Sequence, residues 1–463
     1  MKGGVILFRG SGADARRYLE SDRSRADEYY LEGGTALAEF TAVNACGEVI
    51  GELGLTADEY AQWVDWTNPL TGESMGKPRL PGESRRGSPR FAEMVVNVPK
   101  SLSIAATLHP EVSEALDAAQ RDAVAEVRSW LGQHSVTRVG PRGKQEVVPV
   151  EQLEAVAVSH KTSRAGDPHR HIHFQIGMRV WAAGAWRGLD TAALFRQQGA
   201  IRALGTAVLA AHPQLAAVLD AHGLTLDPVT GEVGELEPWN SLMSKRGAQV
   251  ARNLAKFEAE WEATHPGQEA GPVVRSRLLA KAWDHERPSK KPSQLGSEAD
   301  WLRELTEAGY TSELARASVQ PARTLEQLRM QRVASRALDR CAAAASAWTV
   351  HDVQEQVTRI VTDSGVRATP AELREFITIT TRLATDDCLS ILPAEAPRPE
   401  HVAHLTTLHV VAVETELRDR LTARATLHAG SATPRVQEQA LDADQVSRPL
   451  HSVRTFCESS VSI

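Results

Sequence analysis

The sequence predicts an α/β (α+β) protein, with strands and helices mixed in its first part and helices dominating its second. Three observations support this class. Residues 171–181 alternate their side chains as a strand does. An apolar run at 155–158 precedes them across the turn-forming residues 163–168, which predicts a β-hairpin. Residues 112–133 carry apolar side chains at helical spacing, which indicates a helix that packs on the sheet.

Composition limits the function classes. The 463 residues leave room for two or three domains, and 42% hydrophobic with 24% charged residues is typical of a soluble globular chain. No apolar run is long enough for a membrane span or a secretory signal, so we expect no membrane insertion. Four scattered cysteines without Cys-x-x-Cys spacing favour a reducing cytoplasm and argue against cysteine-bound zinc. The net charge of −7 gives no support for DNA binding.

The predicted hairpin carries a candidate metal site. His171 and His173 are two residues apart and therefore share one face of their strand, and the hairpin turn brings His160 beside them. Three neutral imidazoles with open coordination positions suit a divalent ion that also binds a substrate oxygen. The alternative is a chance arrangement, because the chain has 16 histidines and His169 is a fourth one nearby.

The N-terminal segment carries candidate nucleophiles. Residues 12–31 are predicted to be helical and contain Tyr18, Tyr29 and Tyr30, three of the five tyrosines in the chain. A tyrosine becomes a competent nucleophile when a metal ion or another cation stabilises the developing charge. The alternative is that these rings only pack against the core.

The other elements follow in chain order. Residues 93–98 are predicted to form a strand that ends at Pro99, and residues 191–211 a long helix with Thr191 as its N-cap. Residues 236–292 mix basic residues with tryptophans, a pattern that either stacks unpaired bases or packs a helix. No G-x-x-x-x-G-K-[ST] motif occurs, so ATP-driven unwinding is not supported.

One pattern resembles a known family. The motif His160-x-Thr-Ser-Arg-x-x-Asp-Pro-x-x-His171-x-His173 is similar to the metal motif of the MobF conjugative relaxases, the TrwC/TraI type of HUH endonuclease. The resemblance implies that His160, His171 and His173 hold a divalent metal ion (Mg, Mn or Zn). It also implies a central antiparallel sheet that carries this site, with helices packed on one face.

The resemblance assigns further site residues. Tyr18 matches the tyrosine that first attacks DNA, and Tyr29 and Tyr30 match the later one, although Leu19 stands where the family often has a second tyrosine. Glu93, six positions before Pro99, stands where the family has an aspartate. Its carboxylate is expected to orient a metal histidine or accept the tyrosine proton. Flanking phosphates are expected to be held by Lys100 and Arg164.

The implied function is a site- and strand-specific DNA relaxase, a nickase that forms a 5′-phosphotyrosyl intermediate during plasmid conjugation. The implied partners are single-stranded or hairpin DNA at a transfer origin, a separate helicase and a type IV coupling protein. We predict a relaxase domain at 1–292, a helical region at 293–427 leading toward a missing helicase domain, and a disordered tail at 428–463.

Three alternatives stay open at this stage. A truncated, inactive relaxase would bind origin DNA without cutting it. A metal-dependent hydrolase of small substrates would use the histidines, leave the tyrosines idle and form no covalent adduct. A rolling-circle replication initiator shares the tyrosine chemistry, but its histidine pair usually lacks the distant third histidine and it ranks lower.

Overall fold

The computed structural model describes residues 5–21, 38–80, 82, 86–163, 165–287, 297–313, 315–318 and 320–429. Tyr29, Tyr30 and Arg164 lie outside the described residues, as does the predicted tail from residue 430 onward. The chain divides into two compact units, Met1–Leu405 and Thr406–Ile463. The domain boundary predicted at residue 292 stays a prediction, and residues on both sides of it belong to the first unit.

An antiparallel sheet forms the centre of the first unit, as predicted. Within the described residues it has seven strands in the order β1-β4-β8-β7-β2-β3, with β9 paired to β8. The strands are β1 (Ile6–Phe8), β2 (Ala38–Asn44), β3 (Val49–Leu55), β4 (Phe91–Asn97), β7 (Gln152–Thr162), β8 (Pro168–Ala182) and β9 (Ala185–Gly188). A separate hairpin joins β5 (Val136–Val139) to β6 (Glu146–Pro149).

Helices connect and follow these strands. In the first unit they are α1 (Gly12–Ser21), α2 (Ala57–Val64), α3 (Lys100–Leu108), α4 (Pro110–His134), α5 (Thr191–Ala211), α6 (Pro213–Ala221), α7 (Lys245–Thr264), α8 (Pro272–Asp284), α9 (Glu298–Glu307), α10 (Met330–Ala344), α11 (Val350–Asp363) and α12 (Pro370–Asp386). The short strands β10 (Leu389–Ser390) and β11 (Leu405–Thr406) follow, and α13 (Leu408–Ala429) lies in the second unit. Among the described residues, no helix combines the length and apolar character needed to cross a membrane.

Helix α4 covers one face of the sheet. Its predicted apolar stripe is buried along its whole length, from Val112 to Leu131. Ile172 and Phe174 of β8 point to this face and are buried. Because side chains alternate along a strand, the neighbouring histidines of β8 must point to the opposite face.

Helices also pack on the histidine face, which differs from the prediction of helices on one face only. Leu19 of α1 and Tyr60 of α2 join a buried cluster with Phe40 and Val156 of the sheet. The histidine face needs this cover because its strands carry large apolar side chains beside the polar ones. The N-cap of α5 is also corrected: Asp190, not Thr191, accepts hydrogen bonds from the backbone at 192 and 193.

A close approach fixes α1 on α2. A Cβ atom at Gly12 would lie 2.1 Å from the carbonyl oxygen of Ala61, so only glycine permits this packing. The Gly12 amide donates a hydrogen bond to Asp65 at 3.0 Å. Asp65 in turn pairs with the buried guanidinium of Arg90 at 3.1 Å. These contacts hold α1, which carries Tyr18, beside the sheet.

The helices after residue 309 extend the first unit. Helix α11 packs on α5, and α10 and α12 pack on α11. Arg374 of α12 pairs with Glu126 of α4 at 2.8 Å. The helical region is therefore joined to the helix that covers the sheet.

Candidate metal and nucleophile site

The β7–β8 hairpin brings the three predicted histidines together. His160 of β7 is directly opposite His171 of β8, and His173 follows on the same face. The ring centres lie 5.3 Å apart for His160 and His171, 5.2 Å for His160 and His173, and 5.1 Å for His171 and His173. All three side chains are buried. This group is called the histidine trio below.

The contacts of His171 and His173 favour the tautomer that binds metal through Nε2. The Nδ1 atom of His171 lies 2.8 Å from the carbonyl oxygen of His169, to which it donates as Nδ1–H. The Nδ1 atom of His173 lies 3.0 Å from a carboxylate oxygen of Glu93. A neutral imidazole that donates through Nδ1 carries its lone pair on Nε2. Burial holds the pKa of His171 well below its usual value, so this ring is neutral, as a metal ligand must be.

The ring centres of the trio are separated as those of three imidazoles sharing one divalent ion would be. Three imidazoles on one ion, with metal–nitrogen distances of about 2.1 Å in tetrahedral directions, have ring centres about 5 Å apart. The observed separations are 5.1–5.3 Å. A donor set of three imidazole nitrogens with an outer carboxylate is also one that divalent ions accept.

Glu93 stands directly behind the trio. Its partner in the strand register is Gln175, which places His173 diagonally across from it, within reach of a long side chain. Burial alone would raise the pKa of Glu93, but the interaction with His173 and a hydrogen bond from Gln175 outweigh it and hold the pKa below its usual value. The carboxylate is therefore ionised and hydrogen-bonded.

Two residues that the sequence analysis missed complete this network. The side-chain amide of Gln175 donates to Glu93 at 3.1 Å, and the Tyr60 hydroxyl donates to Gln175 at 2.9 Å. Gln175 follows His171 and His173 on the same strand face, so the alternation of the strand contained a signal for it. Tyr60 reaches the site through the docking of α2, which no local pattern predicts.

Tyr18 lies beside the trio. Its ring centre is 6.5 Å from that of His173, in an edge-to-face arrangement. The ring is partly buried and packs against the cluster formed by α1, α2 and the sheet. The structure therefore places the predicted first nucleophile next to the predicted metal ligands.

Lys100 is the first residue of α3, and its side chain lies beside the start of β8. Its ammonium group donates a hydrogen bond to the carbonyl oxygen of Pro168 at 2.6 Å. Burial, and the nearby charge of Lys245, lower its pKa to about 8, against the opposing effect of Asp167. The turn between β7 and β8 is held from outside the sheet, since Trp301 of α9 donates to the carbonyl of Gly166 at 2.6 Å.

The chain is similar to proteins of known structure and family. The family model described as TrwC relaxase matches residues 12–308. A copper-bound structure of the conjugative relaxase TrwC in complex with oriT DNA is 20% identical, with a TM-score of 0.47, over 67% of this chain and 99% of that chain. A metal-bound structure of TrwC with oriT DNA is 18% identical, with a TM-score of 0.46, over 67% of this chain and 99% of that chain. No curated protein matches the chain.

Proposed function

Because this chain belongs to the TrwC relaxase family, and is therefore a DNA-nicking relaxase, we propose that it cleaves single-stranded DNA at a transfer origin by attack of Tyr18 on a phosphodiester. The observation that carries the proposal is the position of Tyr18, whose ring centre is 6.5 Å from His173 in a buried trio backed by Glu93. A candidate nucleophile and a candidate metal site thus lie together on one sheet face.

The proposed step is a transesterification. The Tyr18 oxygen attacks the phosphorus in line and forms a phosphotyrosyl ester with the 5′ phosphate, while the bond to the 3′ oxygen breaks. The tyrosine proton passes to solvent or a nearby base, and the departing 3′ oxygen takes up a proton to become a hydroxyl. One ester replaces another, so the free 3′ hydroxyl can reverse the reaction without ATP.

His160, His171 and His173 are the residues that would hold the metal ion. When bound, a divalent ion supplies Lewis acidity toward the non-bridging oxygens of the scissile phosphate. Mg, Mn and Zn are the divalent ions that we propose for this site. The strand pairing of β7 with β8 keeps the three rings in place, and the α1–α2 packing keeps Tyr18 facing them.

The role that we propose for Glu93 is to orient His173 rather than to accept the tyrosine proton. Its carboxylate is already hydrogen-bonded by His173 and Gln175, and its lowered pKa makes it a weak base. Replacing Glu93 by alanine is expected to weaken metal affinity and adduct formation by about 10–100-fold. We would measure both as a function of metal concentration.

The metal dependence separates the two roles. If Glu93 orients a ligand, saturating metal restores most of the rate lost in Glu93→Ala. A rate that stays low at saturating metal, and no longer depends on pH as the wild type does, would assign the proton-accepting role instead. Glu52→Ala, an exposed glutamate of the same sheet, is the matched control and is expected to behave as the wild type.

Lys100 gives a prediction for DNA binding. Its pKa of about 8 means that the amine loses its charge between pH 7 and pH 9. If the ammonium contacts a phosphate, affinity for single-stranded DNA should fall by about tenfold over that range. Lys100→Met should bind more weakly at pH 7 and show a flatter pH profile, with both proteins titrated at fixed salt.

A different result would change the role of Lys100. Equal pH profiles for the wild type and Lys100→Met would mean that this side chain only fastens the start of β8 through the carbonyl of Pro168. Arg164, the other predicted phosphate ligand, can be tested as Arg164→Met in the same titration.

The proposed partners follow from this activity. Single-stranded or hairpin origin DNA is the proposed substrate, and a separate helicase and a type IV coupling protein are the proposed protein partners. The test of the function is incubation of purified protein with Mn or Mg and labelled single-stranded DNA from the element that carries its gene. A covalent protein–DNA band on a denaturing gel is the expected result; DNA binding without a band would point to an inactive relaxase.

A further inference from the structure

A second group of potential metal ligands lies on the other side of the sheet from the histidine trio. His134 is the last residue of α4, which packs on the face opposite the trio. His351 is in the first turn of α11, and Glu400 lies between β10 and β11. Potential ligand atoms of these three residues all lie within 4.8 Å of one another.

The position of His134 is fixed by its surroundings. Its backbone carbonyl accepts a hydrogen bond from the buried side chain of Gln197 at 2.6 Å. Its ring lies against Trp130, one helical turn earlier, with ring centres 4.5 Å apart. Its Nδ1 atom is 2.7 Å from a carboxylate oxygen of Glu400. The imidazole therefore has little rotational freedom and already faces the carboxylate.

Glu400 is held beside α11 by its backbone. Its carbonyl oxygen accepts a hydrogen bond from the amide of Val350 at 3.2 Å, and Trp348 and Leu405 exchange backbone hydrogen bonds nearby. The hydrogen bond from His134 is the largest effect on the carboxyl and keeps its pKa below the usual value, so Glu400 is ionised. Its side chain is 49% exposed, which gives an ion a path from solvent.

His351 is the residue that most needs a partner. Its side chain is buried, and neither ring nitrogen has a hydrogen-bond partner within the described part of the chain. Its ring centre is 5.6 Å from that of His134 and 5.2 Å from that of Trp130. A buried polar group without a partner is costly, and an ion is one of the few explanations for such a group. Burial lowers its pKa to about 3, which keeps the ring neutral.

We propose that His134, His351 and Glu400 bind a zinc-class divalent ion through one nitrogen of each imidazole and a carboxylate oxygen of Glu400. Two histidines and one carboxylate form a donor set that zinc accepts in a four-coordinate site, with water as the fourth ligand. The ion displaces the proton that His134 shares with Glu400 and satisfies one nitrogen of His351.

The position of this site, between two parts of the fold, favours a structural role. His134 lies inside the stretch 12–308 that the TrwC relaxase model matches, whereas His351 and Glu400 lie beyond it. An ion bound by all three ties the helical region to the end of α4, the helix that covers the sheet. The site would thus join the relaxase core to the helices that follow it, and it would take no part in DNA cleavage.

The test is zinc binding by the untagged full chain, measured by competition with a chelating dye. The wild type is expected to bind two ions, and His171→Ala/His173→Ala one. Glu400→Gln is expected to lose the ion bound by His134, His351 and Glu400 and to keep the ion bound by the histidine trio. At zinc concentrations about 100-fold above the dissociation constant, the ion should raise the Tm of His171→Ala/His173→Ala by about 3 °C, and this rise should vanish when Glu400→Gln is added.

The control is Glu395→Gln, an exposed glutamate of the same loop, which should keep both ions. Unchanged zinc stoichiometry in Glu400→Gln, or a His171→Ala/His173→Ala variant that binds no zinc, would overturn the proposal. Glu400 is half-exposed, so Glu400→Gln should fold even if a variant of the buried His351 does not. Glu400→Gln should still form the DNA adduct, so failure of this proposal is distinguishable from failure of the proposed nicking mechanism.

Discussion

Replacing Tyr18 by phenylalanine is expected to abolish the covalent protein–DNA adduct, with a loss of about a thousandfold or more. The substitution removes the one oxygen that we propose attacks the phosphorus, and the phenylalanine ring keeps the edge-to-face contact with His173 and the packing of α1. Folding and DNA binding should therefore be preserved. The measurement is the rate of adduct formation with labelled single-stranded DNA on a denaturing gel.

Two other tyrosines make this experiment specific. Tyr310→Phe is the matched control, because its ring packs against Trp239 outside the site, and it should form the adduct normally. Tyr60→Phe removes the hydrogen bond to Gln175 and should slow the reaction only modestly. Tyr60 itself is a poor nucleophile, since burial raises its pKa far above the usual value.

The adduct assay also ranks the remaining alternatives. An adduct that survives Tyr18→Phe and disappears only when Tyr29 and Tyr30 are both replaced by phenylalanine would reverse the order of the tyrosines. Origin DNA bound without an adduct would indicate an inactive relaxase. If the protein neither binds origin DNA nor forms an adduct, the result would favour the alternative in which the histidine trio serves the hydrolysis of small substrates.

The parts of the site that the sequence predicted are those encoded by local periodicity. The two-residue spacing of His171 and His173 places both on one strand face, and the short turn after His160 dictates its pairing with His171. The family resemblance, rather than periodicity, assigns Glu93, and the structure places it against His173.

The parts that escaped prediction depend on packing between distant segments. Tyr60 reaches Gln175 because α2 docks on the sheet, and α1 docks on α2 because Gly12 permits close approach to Ala61. His134, His351 and Glu400 come from two helix ends and a loop, with no shared spacing that a motif search would detect. Their proximity is a result of the fold alone.

Removal of the metal ion, or of one of its proposed ligands, is the second prediction with a large effect. His171→Ala is expected to lower the rate of adduct formation by at least about 100-fold, and chelation of the wild type should do the same. The physical reason is that Tyr18 would attack a negatively charged phosphodiester, and a divalent ion would offset charge that the neutral imidazole of His171 cannot. Single-stranded DNA binding should change by only a few-fold, because phosphate contacts elsewhere dominate affinity.

His169 provides the comparison that makes this result interpretable. Its ring stacks on His171 with ring centres 4.7 Å apart, and its carbonyl oxygen accepts the Nδ1–H of His171. His169→Ala keeps that carbonyl, so the rate of adduct formation should fall far less in this variant than in His171→Ala. Added Mn or Mg should restore activity to the chelated wild type but not to His171→Ala. Equal losses in the two variants would mean that the region needs its packed rings rather than a metal ion. Normal adduct formation in both His169→Ala and His171→Ala would mean that the reaction does not use a metal ion bound by the trio.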